Sequence, residues 1–174
     1  ATEILRMATE RPLQARLDPK AHMVIRDGSY VSTTKNPQFS IVIDGEQLHP
    51  GWFVIEVEIF GKGMAFAPVL YVEHRAEWSR FSTYHLKPMG EGRFEAIGLI
   101  EDEVLRLRLD PADCEGAFGI KTFSLRQVGL VGSFRRAYRV DRKAARAALL
   151  QIKTHKSIKQ FARDLAGILN YHGP

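Results

Sequence analysis

The side chains with which this chain could do chemistry are six histidines, a few grouped carboxylates and one cysteine. His22, His49, His74, His85, His155 and His172 are scattered, and none stands in the His-Glu-x-x-His spacing that sets two imidazoles around zinc on one helix face. The single cysteine, Cys114, rules out a disulfide framework within the chain and a multi-cysteine zinc site. Its acidic neighbours Asp113 and Glu115 disfavour a thiolate, so it is a poor nucleophile. Glu56 and Glu58 share one face of a strand, about 7 Å apart. Such a pair would suit glycoside hydrolysis if it faced a cleft, and a solvated outer face is the plainer reading. Glu101-Asp102-Glu103 reads as charge in a turn. Phosphate-loop and Gly-x-Ser-x-Gly patterns are absent, and Phe60-Gly-Lys-Gly-Met64 reads as a hairpin turn. No catalytic residue, metal ligand or cofactor site is assigned.

Two patterns point to binding instead. Trp52, Tyr71, Trp78, Phe81 and Tyr84 fall in the middle of the chain. A flat aromatic face with polar groups beside it is what a sugar ring needs. Trp78 beside Arg80, with Tyr84, is the candidate carbohydrate site. The alternative is that Trp52, Phe53 and Phe66 are core and Trp78 closes one end of the fold. Arg135, Arg139, Arg142 and Arg146 stand at four- and three-residue steps, one side of a helix, where they would meet a polyanion. Only Tyr138 is interleaved among them, which is thin for stacking bases, so nucleic acid is the less expected partner. A solvated face, or one against anionic lipid headgroups, fits as well.

The elements that must position these residues are mostly strands. Trp52–Phe60 alternates, with Phe53, Ile55, Val57 and Ile59 on one face and Glu56 and Glu58 on the other. Further strands are read at Phe39–Asp44, Val69–Val72, Ser82–Leu86, Arg93–Ile100, Val104–Leu109 and Phe118–Val128, and weaker ones at Leu13–Leu17 and Met23–Arg26. Eight or nine short strands punctuated by Gly, Pro and Asp predict an antiparallel sandwich of jelly-roll size. No ten-residue helical pattern separates them, which excludes a βαβ fold. The period changes after about Val140. Asp141 is a helix cap; Ala145, Leu149 and Ile152 share one face, and Ile158, Phe161, Leu165 and Ile168 another, with Ser157 capping the second helix. The expected organisation is a β-sandwich over residues 1–133 and a basic helical linker over 134–174. Gly173-Pro174, a stop signal after an amphipathic helix, suggests a domain cut from a longer chain.

Length and charge agree. A chain of 174 residues, 45% apolar, suits one globular domain and no apolar run is long enough to span a bilayer. The first ten residues lack the apolar core of a signal peptide. Residues 134–174 hold ten of the 25 Lys and Arg but only two of the 20 Asp and Glu, a net of +8 against −3 for the remainder. A basic segment beside a near-neutral body suggests an acidic partner or surface.

The stretch from Trp52 to Val128, with a strand after Gly51-Trp52, then Val69-Leu-Tyr-Val-Glu73, Phe81, Gly92-Arg-Phe-Glu95, Val104-Leu-Arg-Leu-Arg-Leu-Asp-Pro111, Gly116-x-Phe-x-Ile120 and Phe123-Ser-Leu125, resembles the non-catalytic β-sandwich that precedes the transferase domains of large bacterial polysaccharide glycosyltransferases, including rhamnan-synthesis-type proteins. The resemblance covers about 80 residues, or about 120 with the helical linker. It implies a galactose-binding-like, carbohydrate-module-like sandwich. It also implies an accessory role: binding glycan or positioning a catalytic domain of the same polypeptide in cell-surface polysaccharide synthesis, on the cytoplasmic side and peripheral to the inner membrane. The chain itself carries no Asp-x-Asp nucleotide-sugar motif after this region and is expected to have no transferase activity. Within the motif, Arg108 and Asp110 are two apart on one strand face and pair side by side; Asp110 accepts from the turn backbone and Pro111 ends the strand. The alternative function is a polyanion-binding module acting through the basic helix.

Overall fold

The computed structural model describes residues 10–45, 48–75, 80–152 and 157–171. They form twelve strands and three helices. The strands are β1 (Arg11–Leu13), β2 (Ala15–Ala21), β3 (Met23–Arg26), β4 (Ser29–Ser32), β5 (Gln38–Ile43), β6 (Gly51–Phe60), β7 (Phe66–His74), β8 (Arg80–His85), β9 (Lys87–Gly90), β10 (Arg93–Ile100), β11 (Val104–Ala112) and β12 (Gly116–Val128). The helices are α1 (Leu130–Val140), α2 (Arg142–Ile152) and α3 (Ile158–Tyr171). One sheet runs β3-β4-β12-β6-β10-β9, with β1 also on β12; the other runs β2-β5-β11-β7-β8. Every pairing is antiparallel, so the body is the expected two-sheet sandwich, and three C-terminal helices follow it.

The inner faces of the sheets meet in one core. Phe53, Ile55, Val57 and Ile59 of β6 oppose Phe39, Leu70, Val72, Leu107 and Leu109, all nearly inaccessible to water. Bulges set which residues reach it. A register shift between Ile120 and Thr122 reverses the parity of β12. That is why even-numbered Phe118 and Ile120 and odd-numbered Phe123 and Leu125 all pack on the same core. A second shift, between Asp110 and Ala112, takes Pro111 into the end of β11. Pro111 therefore lies inside the strand, at an irregularity where no ladder donor is needed, and does not end it.

Sequence reading undercounted the strands. β4 and β9 belong to two-residue hairpins whose turns are Asp27-Gly28 and Glu91-Gly92, all four with φ between 49° and 77°. Paired left-handed residues are the turn that right-twisted strands prefer, and Asp27-Gly28 was its visible signal.

The helices pack on the outer face of the larger sheet. Trp52 and Val54, which alternate with the inward residues of β6, join Val128 of β12, Ala137 of α1, Ala145 and Ala148 of α2, and Phe161, Ala162 and Leu165 of α3 in a second core. Strand β6 is thus buried on both faces over Trp52–Ile55. The first helix starts at Leu130, ten residues before the expected change of period. Its N-terminal residue Gly129 offers no side-chain cap, so nothing in the local sequence announces it. Small residues at its contact, Ser133 and Ala137, are fully buried and let it approach the sheet closely. The boundary between residues 133 and 134 falls within α1. The two caps expected further on are present: Ala144 N–H donates to Asp141 Oδ1 at 2.9 Å, and Gln160 N–H to Ser157 Oγ at 3.2 Å. The buried face of α2 centres on Ala145 and Ala148, so Leu149 is rotated off it and 42% exposed. Ile158, at the first turn of α3, is likewise exposed, while Phe161 and Leu165 are buried as expected.

Because β6 serves both cores, a cavity in the helical one should weaken the sandwich as well. Leu165→Ala is expected to cost about 2–5 kcal/mol. In urea unfolding, tryptophan fluorescence and the far-ultraviolet sheet signal should shift together. A sheet transition that stayed in place while fluorescence moved would show the helices to be separable.

Candidate functional site

The outer face of the larger sheet carries charge where it meets α1. Glu56 of β6 and Glu95 of β10 are register partners, side by side on adjacent strands. The Arg126 Nη1 donates to Glu10 Oε2 at 2.8 Å and its Nη2 to Glu56 Oε2 at 2.7 Å. From α1, Arg136 Nη2 donates to Glu10 Oε1 at 2.6 Å and Nη1 to Glu95 Oε1 at 3.2 Å. Two guanidinium groups thus tie the sheet, Glu10 and the first helix together. Burial raises the Glu95 carboxyl above its ordinary value; Arg136 opposes the rise, and the charge and hydrogen bond of Glu56 add to it. Burial also acts to raise Glu10, but Arg136 and Arg126 outweigh it and hold that carboxyl low.

The carboxylate pair is therefore Glu56 with Glu95, a cross-strand pair that no sequence spacing reveals. Glu58 is turned to Lys121, whose Nζ donates to Glu58 Oε1 at 3.0 Å. Glu56 and Glu95 are register partners, each paired to an arginine, so neither carboxylate stands free to flank a glycosidic bond. Among the described residues no group of three or more His, Cys, Asp or Glu is arranged to hold a metal ion.

Beside Glu95 and Arg136 opens a cleft of about 670 Å³. One wall is β8 and β9, with Thr83, Tyr84, His85 and Lys87; the floor is Glu95, Ala96 and Ile97 of β10; the far wall is α1 and the end of α3. Tyr84 is fixed from two sides. Its ring meets Phe53 edge-on at 5.0 Å, and its hydroxyl donates to the Leu99 carbonyl at 3.0 Å. Gly98 makes this possible: a Cβ there would lie 2.4 Å from the Tyr84 ring and 2.7 Å from Phe53. Lys87 Nζ donates to the Leu169 carbonyl near the end of α3 at 3.2 Å, joining the two walls. Arg139, exposed on α1, lines the cleft and meets no hydrogen-bonding or ionic partner among the described residues.

The sequence-assigned residues divide. Tyr84 and Arg139, assigned to different partners, line the same cleft. Trp78 lies outside the described residues, and Arg80 opens β8 opposite His74. Arg142 and Arg146 turn to the Tyr138 ring, at 5.4 and 5.7 Å from its centre, and Arg135 is exposed on α1. His74 and His85, on the paired strands β7 and β8, point to opposite sides of their sheet. His74 is buried with Nε2 2.8 Å from Ser82 Oγ, and His85 lies on the cleft.

Arg108 and Asp110 pair as expected, at 2.8 Å from Nε to Oδ1 and 3.0 Å from Nη2 to Oδ2, on the outer face of the smaller sheet. The Asp110 carboxylate is held by Arg108, not by the turn backbone. The Arg108 guanidinium also lies 4.3 Å over the Tyr71 ring. Beside them Arg106 donates twice to Glu73, at 2.7 and 3.2 Å, and Phe81 stands exposed.

No family model matches the sequence, and no curated protein matches it. Among solved structures, a point mutant of a family 29 carbohydrate-binding module is similar, with a TM-score of 0.42 and 11% identity over 70% of this chain and 94% of that one. A family 29 module complexed with mannohexaose gives a TM-score of 0.41 and 12% identity over 71% and 95%. The xylan-binding family 22 domain from Paenibacillus barcinonensis gives 0.39 and 16% over 72% and 91%.

The two arginine-bound carboxylates should answer pH in opposite ways. A raised Glu95 favours the fold when protonated; that contribution is complete below about 4.5 and is lost as pH rises through the raised value. Glu95→Gln should therefore be more stable than the parent at pH 8, with the gap closing below pH 4.5. Glu10, held low, stabilises above 4.5 and loses that as pH falls through its lowered value. Glu10→Gln should be the less stable protein at pH 7 and equal to the parent in strong acid. Urea unfolding across the pH range reads both.

Proposed function

We propose that this chain is a non-catalytic glycan-binding accessory domain and that the cleft beside Tyr84 is its sugar site. The carrying observation is the mixture of groups around that cleft. A sugar presents hydroxyls that both donate and accept, and patches of C–H that leave water willingly. The Arg136–Glu95 pair offers donor and acceptor together, while Tyr84, Met89, Ile97 and Val140 supply apolar wall. The volume, about 670 Å³, suits one or two sugar rings. Cations outnumber carboxylates around it, which favours glycans carrying carboxylate groups. The outer face of the smaller sheet, with Tyr71, the exposed Phe81 and its flat guanidinium–carboxylate pairs, borders the cleft through β8 and would extend the contact for a longer chain.

The resemblance of residues 52–128 supplies the setting in this proposal. The domain would sit beside a glycosyltransferase domain of the same polypeptide, on the cytoplasmic side of the membrane, and hold or present the growing polysaccharide. The chemistry would belong to that neighbour.

Isothermal titration against neutral and uronic acid oligosaccharides tests the sugar site. Binding is expected, stronger for the acidic series, and Arg139→Gln should weaken it roughly tenfold through loss of one charged hydrogen bond. His85→Ala should weaken it less. Absence of heat with every oligosaccharide at millimolar concentration would overturn the proposal.

A further inference from the structure

The helical layer carries a second surface, which the glycan reading does not use. Ala145 and Ala148 turn one side of α2 into the core, and the opposite side is exposed. At roughly 100° per residue the exposed positions run Leu149, Arg142, Arg146, Leu150, Lys143, Ala147, Gln151, and the first five of them, cations and leucines alone, fill an arc of about 120°. Leu149 is 42% and Leu150 61% exposed. Arg142, Lys143 and Arg146 have no carboxylate partner among the described residues, and the first and third lean on Tyr138 of α1. That ring joins the stripe to the outer side of α1, where Arg135 and Val131 are exposed as well.

Exposed leucines interleaved with cations that meet no carboxylate among the described residues fit one environment well. A nucleic acid would satisfy the cations and leave the leucines wet. An anionic bilayer satisfies both: acyl chains take the leucines and lipid phosphates take the guanidinium and ammonium groups. No helix among the described residues is long and apolar enough to cross a membrane, so the contact is a surface one. We infer that α2, with the outer side of α1, is a docking face for an anionic phospholipid surface. It is separate from the cleft residues Glu95, Tyr84 and Lys87, so a bound glycan and a bound bilayer do not compete for them.

Co-sedimentation of the full chain with vesicles tests this. Binding is expected to vesicles of phosphatidylcholine with phosphatidylglycerol, to fall steeply with salt, and to be absent with phosphatidylcholine alone. Each of Arg142→Gln and Arg146→Gln should lower the partition coefficient about fivefold. Leu150→Asn, an exposed position, should lower it about tenfold without moving the urea midpoint. No binding to the anionic vesicles at low salt would overturn the inference and leave the glycan proposal untouched. It would also fall if Leu150→Asn left vesicle binding unchanged while single-stranded DNA bound as tightly, since the surface would then be reading phosphate alone.

Discussion

Everything in this molecule hangs on a strand with no wet side over its first half. Four successive residues of β6, Trp52 to Ile55, are buried. Phe53 and Ile55 face the partner sheet and Trp52 and Val54 face the helices. An antiparallel sheet ordinarily leaves one face to water. Here that face has been covered where it is apolar, and the covering layer brings its own side chains to the sheet edge. The cleft lies at that edge, where Val140 of α1 and Leu169 of α3 line it.

Where β6 turns polar, the layer is joined by charge instead of packing. Glu56 follows Ile55 on the outer face, next to Glu95, and two carboxylates side by side under a helix would repel. Arg126 from the sheet and Arg136 from α1 answer that repulsion, and Glu10 completes the set. Glu10 serves both arginines, and it is the member whose loss would be costly, because a desolvated charge left alone is expensive. The network also orients α1. With Arg136 directed to the sheet, Arg139 falls beside the cleft and Arg135 falls on the outer side, so one basic helix serves two surfaces.

Division of the cations is the functional content of the helical layer. Counted together, the basic residues of the C-terminal segment read as one polyanion stripe. In space Arg136 ties α1 to the sheet and borders the cleft, Arg139 lines the cleft, and Arg142 and Arg146 gather at Tyr138 with the exposed leucines beyond them. Spacing along a helix shows which residues are neighbours, but not which side the rest of the protein will cover.

The sequence by itself determined what depends on near neighbours. Alternation in β6, the caps at Asp141 and Ser157, and the Arg108–Asp110 pair are all legible, because each is decided within a few residues. It missed α1, whose capless start at Gly129 and small residues Ser133 and Ala137 make sense only against a sheet. The carboxylate pair escaped it as well: Glu56 and Glu95 are brought together by strand register. The parity change in β12 and the exposure of Leu149 were likewise decided by tertiary structure, through a bulge and through the choice of Ala145 and Ala148 as the closer contact. The cleft belongs to this second class, since its walls come from β8 to β10 and from helices roughly fifty residues further on, and only the burial of Trp52 and Val54 sets them face to face.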